Sequence, residues 1–373
     1  MAEQMKTAIV GCGKVADLHA ESFVNLKEAR FTAVCGRYLE KTQNFASKYG
    51  VKAYTNVSEM VSKEKIDVVN ICTPHPNHRI PAIAAMEAGA HVLIEKPLAS
   101  SLEDCDAMLE VSRDCGKQIG VIGQRRWLPA VRRVKDAIDS GKIGEPVFGT
   151  INMLGWRDKA YYESDPWRGK WKEEGGGVLV NQAPHQLDLL QWYMGEIDEL
   201  YGHWSNLNHP YIEVEDTANA ILKFKNGAIA NIIVSNAQKP GIFGKVHVHG
   251  ENGASVGVQT DGGAMFIAGV PGYIEPPVND IWTVPGEENM LEKWVKEDSE
   301  FFNNLDNQME YFIERQIEDF LNDILADRKP LITGEDGRVT VEIFTAIYRS
   351  TRDGKPVKWP LKPEFGVDFD GRI

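Results

Sequence analysis

The sequence predicts an α/β protein in two parts: a doubly wound parallel sheet at the N-terminus, then an α/β domain with a large, mostly antiparallel open sheet. Three observations carry this. Over residues 1–123, short apolar runs alternate with helical patterns. The first of those runs leads straight into a glycine turn. After Pro146 the runs change to apolar–polar alternation, with Asn226-Gly227 as a hairpin signal between two of them. A chain of 373 residues is also too long for one small core. We therefore place one domain at 1–123 and a second at 124–373, the latter with closing helices at about 309–352 that pack back on the first.

Lys6 to Val10 is a short strand running into Gly11-Cys12-Gly13-Lys14-Val15-Ala16, the G-x-G-x-x-A form of the dinucleotide fingerprint. Gly11 permits the tight turn, Gly13 lets a pyrophosphate approach the backbone, and Ala16 is small enough for the new helix to pack on the sheet. That helix, with Val15, Leu18, His19 and Phe23 at helical spacing, points its N-terminus at the phosphates. The second strand, Phe31 to Cys35, ends in Gly36-Arg37, where an NAD-binding unit usually carries an acid for the adenosine ribose. A guanidinium there can pair with a 2′-phosphate, which favours NADP slightly over NAD; stacking on the adenine of either cofactor and a solvent-facing place are the alternatives.

Asp67 to Cys72 is the next buried strand, and Thr73-Pro74-His75-Pro76-Asn77-His78 is its carboxyl-end loop, beside the nicotinamide ribose. Nothing completes a metal site around His75 and His78, so no metal is expected. Ile80 to Gly89 is helical. Val92-Leu93-Ile94 then reads as a parallel strand buried on both faces, ending abruptly in Glu95-Lys96-Pro97. In open α/β sheets the carboxyl edge is where ligands lie, and a primary amine there, partly desolvated or near a cationic ring, can titrate low enough for proton transfer. Leu102 to Cys115 is another helix and Gln118 to Ile122 the following strand. The cofactor set closes with Gln124, and Arg125 and Trp127 beside it are assigned to substrate.

The second domain opens on a helix to about Ser140, then strand-like runs at 147–154, 200–205, 218–224, 228–235 and 245–249. His247 and His249 alternate onto one face as cross-strand residues. Trp156-Arg157, Tyr161-Tyr162 and Trp167-Arg168-Gly169-Lys170-Trp171 interrupt the sheet with rings and cations. Such groups cover the C–H faces of a sugar and bond its hydroxyls or a carboxylate, or else fold over as a small core. We assign Arg157, Tyr161, Trp167 and Arg168 to the substrate. Three glycines follow, then a helix expected to start near Asn181, because Pro184 is tolerable only in a first turn. Asn181, His185 and Asp188 then share one face, and a histidine so oriented can take a hydroxyl proton at neutral pH. Residues 269–304 form an insertion that lids the site or crosses to a neighbouring subunit; the sequence does not decide between them. Met309 to Ala326 and, after an Asp336-Gly337 turn, Val339 to Arg352 are amphipathic helices. The residues past Pro360 form an extended tail.

A formal charge of −13 argues against nucleic-acid and anionic-membrane partners. No apolar run has the length of a membrane span, and the polar start lacks the features of a signal peptide. The five cysteines, Cys12, Cys35, Cys72, Cys105 and Cys115, have no zinc spacing and read as reduced thiols of a cytoplasmic protein.

Over nearly its whole length the chain resembles the Gfo/Idh/MocA oxidoreductases. Four features carry the resemblance: the Gly11-x-Gly13-x-x-Ala16 turn, Glu95-Lys96-Pro97, the segment from Gly175-Gly176-Gly177 to His185-x-x-Asp188, and the closing Gln316-Ile317-Glu318-Asp319-Phe320 helix with Gly354-Lys355-Pro356-Val357. It implies a Rossmann domain plus an open-sheet α/β domain, assembled as dimers or tetramers through sheet faces. It implies NAD(P)-dependent oxidation or reduction of a sugar or polyol hydroxyl, with Lys96 catalytic and His185 on the reacting hydroxyl. Asn181 stands where the family often has Asp, which shifts base duty toward His185 and Lys96. The Trp-Arg-Gly…Gly-Gly-Gly…Asn-Gln…His form looks most like members that oxidise C3 of a pyranose, nucleotide-sugar uronate and glycoside 3-dehydrogenases among them. Inositol or polyol oxidation, glycoside cleavage assisted by a tightly held cofactor, and a non-catalytic nicotinamide sensor are the rival readings.

Overall fold

The computed structural model describes residues 4–260 and 275–364. Two compact units make up the chain, Met1–Gln124 with Asn307–Arg338 and Arg125–Asp306 with Val339–Ile373.

The first unit is built on six parallel strands: β1 (Met5–Val10), β2 (Ala29–Cys35), β3 (Lys52–Tyr54), β4 (Val68–Ile71), β5 (His91–Ile94) and β6 (Ile119–Val121). Their order is β3-β2-β1-β4-β5-β6, and the strand order reverses between β1 and β4. All four residues of β4, and Val92, Leu93 and Ile94 of β5, are buried, which explains why both runs are apolar except for Asn70. Three elements add to those expected from sequence: the helices Leu39–Tyr49 and Val57–Glu64, and the three-residue β3. The helix Gln308–Leu325 belongs to this unit, where Ile313, Ile317, Phe320 and Leu321 share a core with Ile9, Phe23, Val34 and Leu93. Asp336-Gly337 is not a turn. It lies in the first turn of the helix Gly334–Asp353, because Thr333 and Asp336 cap one another's amides at 2.9–3.1 Å. A Cβ at Gly337 would lie 2.6 Å from Val121 Cγ2, so glycine is what lets that helix start against β6.

The second unit carries β7 (Pro146–Trp156), β8 (Ile197–Ser205), β9 (Thr217–Phe224), β10 (Ile229–Ser235), β11 (Ala237–Gly250), β12 (Ser255–Gln259), β13 (Val278–Trp282) and β14 (Val357–Lys358). They form one sheet in the order β13-β12-β11-β7-β10-β9-β8-β14, antiparallel except for the β7–β10 pair. Asn226-Gly227 makes the β9–β10 hairpin, with Gly227 at φ +89°. Alternation puts Ala218, Ala220, Leu222, Ala230, Ile232 and Val234 inside, and leaves Tyr201, Ile221, Ile229 and Ile233 exposed on the outer face. His247 meets Asp280 of β13 at 2.9 Å, and His249 meets Ser255 at 2.7 Å, both cross-strand roles. Of the stretch 269–304, the described part supplies β13 and the helix Met290–Asn303; residues 269–274 lie outside the described residues, as does the tail from 365. Among the described residues, no helix is long and apolar enough to cross a membrane.

Candidate active site

The glycine turn sits between β1 and the helix Lys14–Asn25. Gly11 has φ +108°, and a Cβ there would lie 2.6 Å from the carbonyl oxygen of Cys72, so the chain passes the end of β4 too closely for any side chain. A Cβ on Gly13 would instead meet nothing within 4 Å. Gly13 is also the N-cap of the helix, and having no side chain it does not cap the amides behind it. An open cradle facing uncapped helix amides fits a diphosphate, and Gly11 to Ala16 are the residues that would hold it. Gly36 is packed against Thr42, and Arg37 stands exposed just past β2. Gln124 is half-buried at the end of this unit.

Lys96 lies two residues past the end of β5 and is half-buried. Behind it runs a buried chain that sequence reading did not find. Asn70 Nδ2 donates to His19 Nδ1 at 2.9 Å, which puts the imidazole proton on Nε2; that nitrogen donates to Glu95 Oε1 at 2.9 Å. The other carboxylate oxygen of Glu95 accepts the Lys96 backbone N–H at 3.2 Å. Burial alone would raise the pKa of Glu95. The His19 hydrogen bond, and the positive charge of Lys96 beside it, outweigh burial and hold the carboxyl below its ordinary value. Lys96 is thus fixed at the root by an ionised carboxylate. His19, read from sequence only as part of a helical pattern, and Asn70, in the middle of an apolar strand, are polar residues at core positions. That is the signal that could have found them.

Two residues expected at the cofactor are turned to other work. Glu95 is buried and its carboxylate is spent on His19 and the Lys96 amide, so it does not face a ligand. His78 is fully buried, with Nε2 at 2.8 Å from the Thr73 carbonyl and Nδ1 at 3.1 and 3.2 Å from those of Pro97 and Leu98. It ties the loop after β4 to the loop after β5. Burial pushes its pKa down. His75 packs edge-on against it, while Thr73 is half-buried and Pro74 exposed at the loop surface. Among the described residues no group of three His, Cys, Asp or Glu could hold a metal ion.

In the second unit the expected single helix is two. Val178–Asn181 forms a short turn, Gln182 and Ala183 break it, and Pro184–Met194 begins again, because Pro184 lacks the N–H that continuous winding needs. Asn181 therefore ends one helix while half-buried His185 lies in the first turn of the next, with Gln182 and Ala183 keeping right-handed helical backbone between them. Asp188 lies one turn further along that second helix. It pairs with fully buried Arg126 through Nε–Oδ2 at 2.9 Å and Nη2–Oδ1 at 2.6 Å, with the guanidinium stacked over Trp192.

The aromatic stretch divides. Tyr161 takes N–H donors from Arg168 (2.5 Å), Gln182 (2.9 Å) and Asn181 (3.3 Å), and its ring lies between the Arg157 and Arg168 guanidiniums. Trp167 stacks on Arg168. Trp171 instead packs with Trp204 and Tyr348 as a small core. Arg125 donates to Thr260 at 2.8 Å, and Trp127 carries the Arg132 guanidinium. Tyr161, Trp167, Arg168 and Asn181 are thus brought together within this unit, joined by Gln182 and Glu174, which sequence reasoning missed.

Comparison with known proteins decides the family. Residues 5–122 match the oxidoreductase family with an NAD-binding Rossmann fold, and residues 131–256 match the Gfo/Idh/MocA C-terminal domain. The chain belongs to the Gfo/Idh/MocA family. As a member of it, the protein is an oxidoreductase with an NAD-binding domain. Myo-inositol 2-dehydrogenase of Thermotoga maritima is 24% identical over 95% of this chain and 98% of its own length. Scyllo-inositol 2-dehydrogenase (NAD+) of Bacillus subtilis is 25% identical over 97% and 98%. The crystal structure of the WlbA dehydrogenase from Bordetella pertussis, in complex with NADH and UDP-GlcNAcA, is similar with a TM-score of 0.84 and 27% identity, covering 97% of this chain and 99% of that one. Gfo/Idh/MocA membership was legible in the motifs.

Proposed function

We propose that the protein oxidises a ring hydroxyl, at C3, of a glucose-type pyranoside or sugar derivative to the ketone. The observation that carries the reading is that the open Gly13 cradle and the rooted Lys96 both stand at the carboxyl edge of one parallel sheet. Bound nicotinamide supplies the hydride acceptor. Lys96 then donates an ammonium N–H to the substrate oxygen as charge develops on it, and His185 takes the hydroxyl proton on its imidazole. Asn181 orients the sugar, and Tyr161, Trp167, Arg157 and Arg168 shape its pocket. Likeness to WlbA supports an acidic or nucleotide-linked sugar; the full-length likeness to inositol dehydrogenases supports a cyclic polyol as the second reading. Exposed Arg37 supports NADP as the preferred form, measured by the ratio of kcat/KM with the two cofactors. The exposed Tyr201, Ile221, Ile229 and Ile233 row supports a homodimer or homotetramer joined through the sheet, which sedimentation reads directly.

The test is a panel of pyranosides, uronates, nucleotide-linked uronates and inositols with both cofactors, following absorbance of reduced nicotinamide. Oxidation of a pyranoside at C3 is the expected result. Oxidation of inositols alone would move the assignment to the second reading, and reduced cofactor from none of them would refute both.

A further inference from the structure

Glu174 is the last residue of a four-residue helix, Trp171–Glu174, and it is 1% exposed. No motif pointed to it. Its Oε2 accepts the Gly169 backbone N–H at 2.5 Å, and its Oε1 accepts Asn181 Nδ2–H at 2.5 Å. Gly169 has φ +74°, and a Cβ there would lie 2.7 Å from Ile212, so the loop brings a bare amide to this carboxyl where a side chain would not fit. The other N–H contact of Asn181 reaches Tyr161, whose hydroxyl also takes Arg168 and Gln182. Asn181 therefore has both its amide donors committed to one side.

We propose that Glu174 is a positioning residue of the oxidation, setting the orientation of the Asn181 amide and placing a carboxyl group one hydrogen bond behind it. This rests on the dehydrogenase reading above. Position 181 carries an amide where a carboxylate would form a dyad with a histidine. Glu174 restores a carboxyl to the cluster without exposing it.

The charged and titratable groups around Glu174 come from three segments. Arg168 and Asp165 lie in the loop before it, Tyr161 on the helix Lys159–Glu163, and Glu215 just before β9. Burial pushes the Glu174 carboxyl up to about 7. The Gly169 and Asn181 N–H groups and the Arg168 charge oppose that rise, and Glu215 adds to it. Both charge states of the group therefore lie within reach of neutral pH, and the ionised form accepts the Gly169 and Asn181 N–H groups more strongly than the neutral one.

Two measurements test this together. Infrared difference spectra between about pH 6 and pH 8 should show a protonated-carboxyl signal that Glu174→Gln removes. With a substrate from the panel, Glu174→Gln should lower kcat/KM at least about tenfold while NADH binding is unchanged, and the swap Glu174→Gln with Asn181→Asp should recover most of the loss. Full kcat/KM in Glu174→Gln, or no rescue by the swap, would overturn the proposal. Should Glu174→Gln fail to fold, Asn181→Asp carries the test: two carboxyls in contact retain a shared proton, so the infrared signal persists to higher pH, and an unmoved signal overturns the proposal. An inactive wild type counts against the dehydrogenase reading, and the infrared arm then decides the Glu174–Asn181 coupling by itself.

Discussion

Replacing His19 with Leu removes the middle of the buried chain that roots Lys96. His19 is fully buried and the Glu95 side chain is 10% exposed, so water cannot replace the lost bonds. Losing a hydrogen bond to the ionised Glu95 costs about 1.5–3 kcal/mol, and leaving the Asn70 amide buried without its partner adds about 1–3 kcal/mol. Leucine is close to histidine in size and returns part of this through apolar contact, so the expected net loss at pH 7 is about 2–5 kcal/mol. The pH dependence is the sharper signature. In the wild type the folded pKa of Glu95 is depressed, so its contribution is present above the unfolded value and is lost as pH falls through the folded one. Without His19, burial dominates, the carboxyl is raised, and the variant regains ground on acidification. The gap between wild type and His19→Leu should therefore narrow to about 1–3 kcal/mol near pH 4, leaving the Asn70 part alone. Urea denaturation at a series of pH values, followed by tryptophan fluorescence and far-UV circular dichroism, reads the gap directly. A gap under about 1 kcal/mol at pH 7, or one that does not change with pH, would refute the reasoning.

Two further substitutions separate folding from binding. The Cβ that Gly13→Ala adds meets no atom within 4 Å, so Tm should stay within a few degrees of wild type while NADH affinity falls about tenfold or more; equal losses in both would mean the cradle is not the phosphate site. Asp188→Asn leaves the Arg126 guanidinium buried without its carboxylate and should lower stability by about 3–5 kcal/mol in urea titrations, whereas an unchanged midpoint would show that the ion pair carries nothing.

The parallel sheet was readable because β4 and β5 are apolar runs broken only by Asn70 and the glycine turn follows β1 at once. β3 escaped because three residues are too few to show a period. Pattern also reported Lys96, since Pro97 cuts its strand, but not what supports Lys96. His19 and Glu95 are 76 positions apart, His19 and Asn70 are 51 apart, and periodicity records spacing within an element rather than pairing between elements. The same limit hid the partner of Asp188, which lies 62 residues away at Arg126 and takes up its carboxylate. Pro184 does occupy a first turn, as its missing N–H requires, but the helix it opens starts at Pro184 itself, and Asn181 closes a separate short helix before it. The aromatic stretch was seen as a cluster, yet only packing could show that Trp171 joins Trp204 and Tyr348 while Tyr161 keeps company with Asn181.

Substitution of Lys96 by Ala, with NADH affinity and turnover of the same preparation measured side by side, tests the central claim most directly. The account predicts a dissociation constant for NADH within about threefold of wild type and turnover below about one part in a thousand. Turnover near the wild-type value with intact cofactor binding would contradict it.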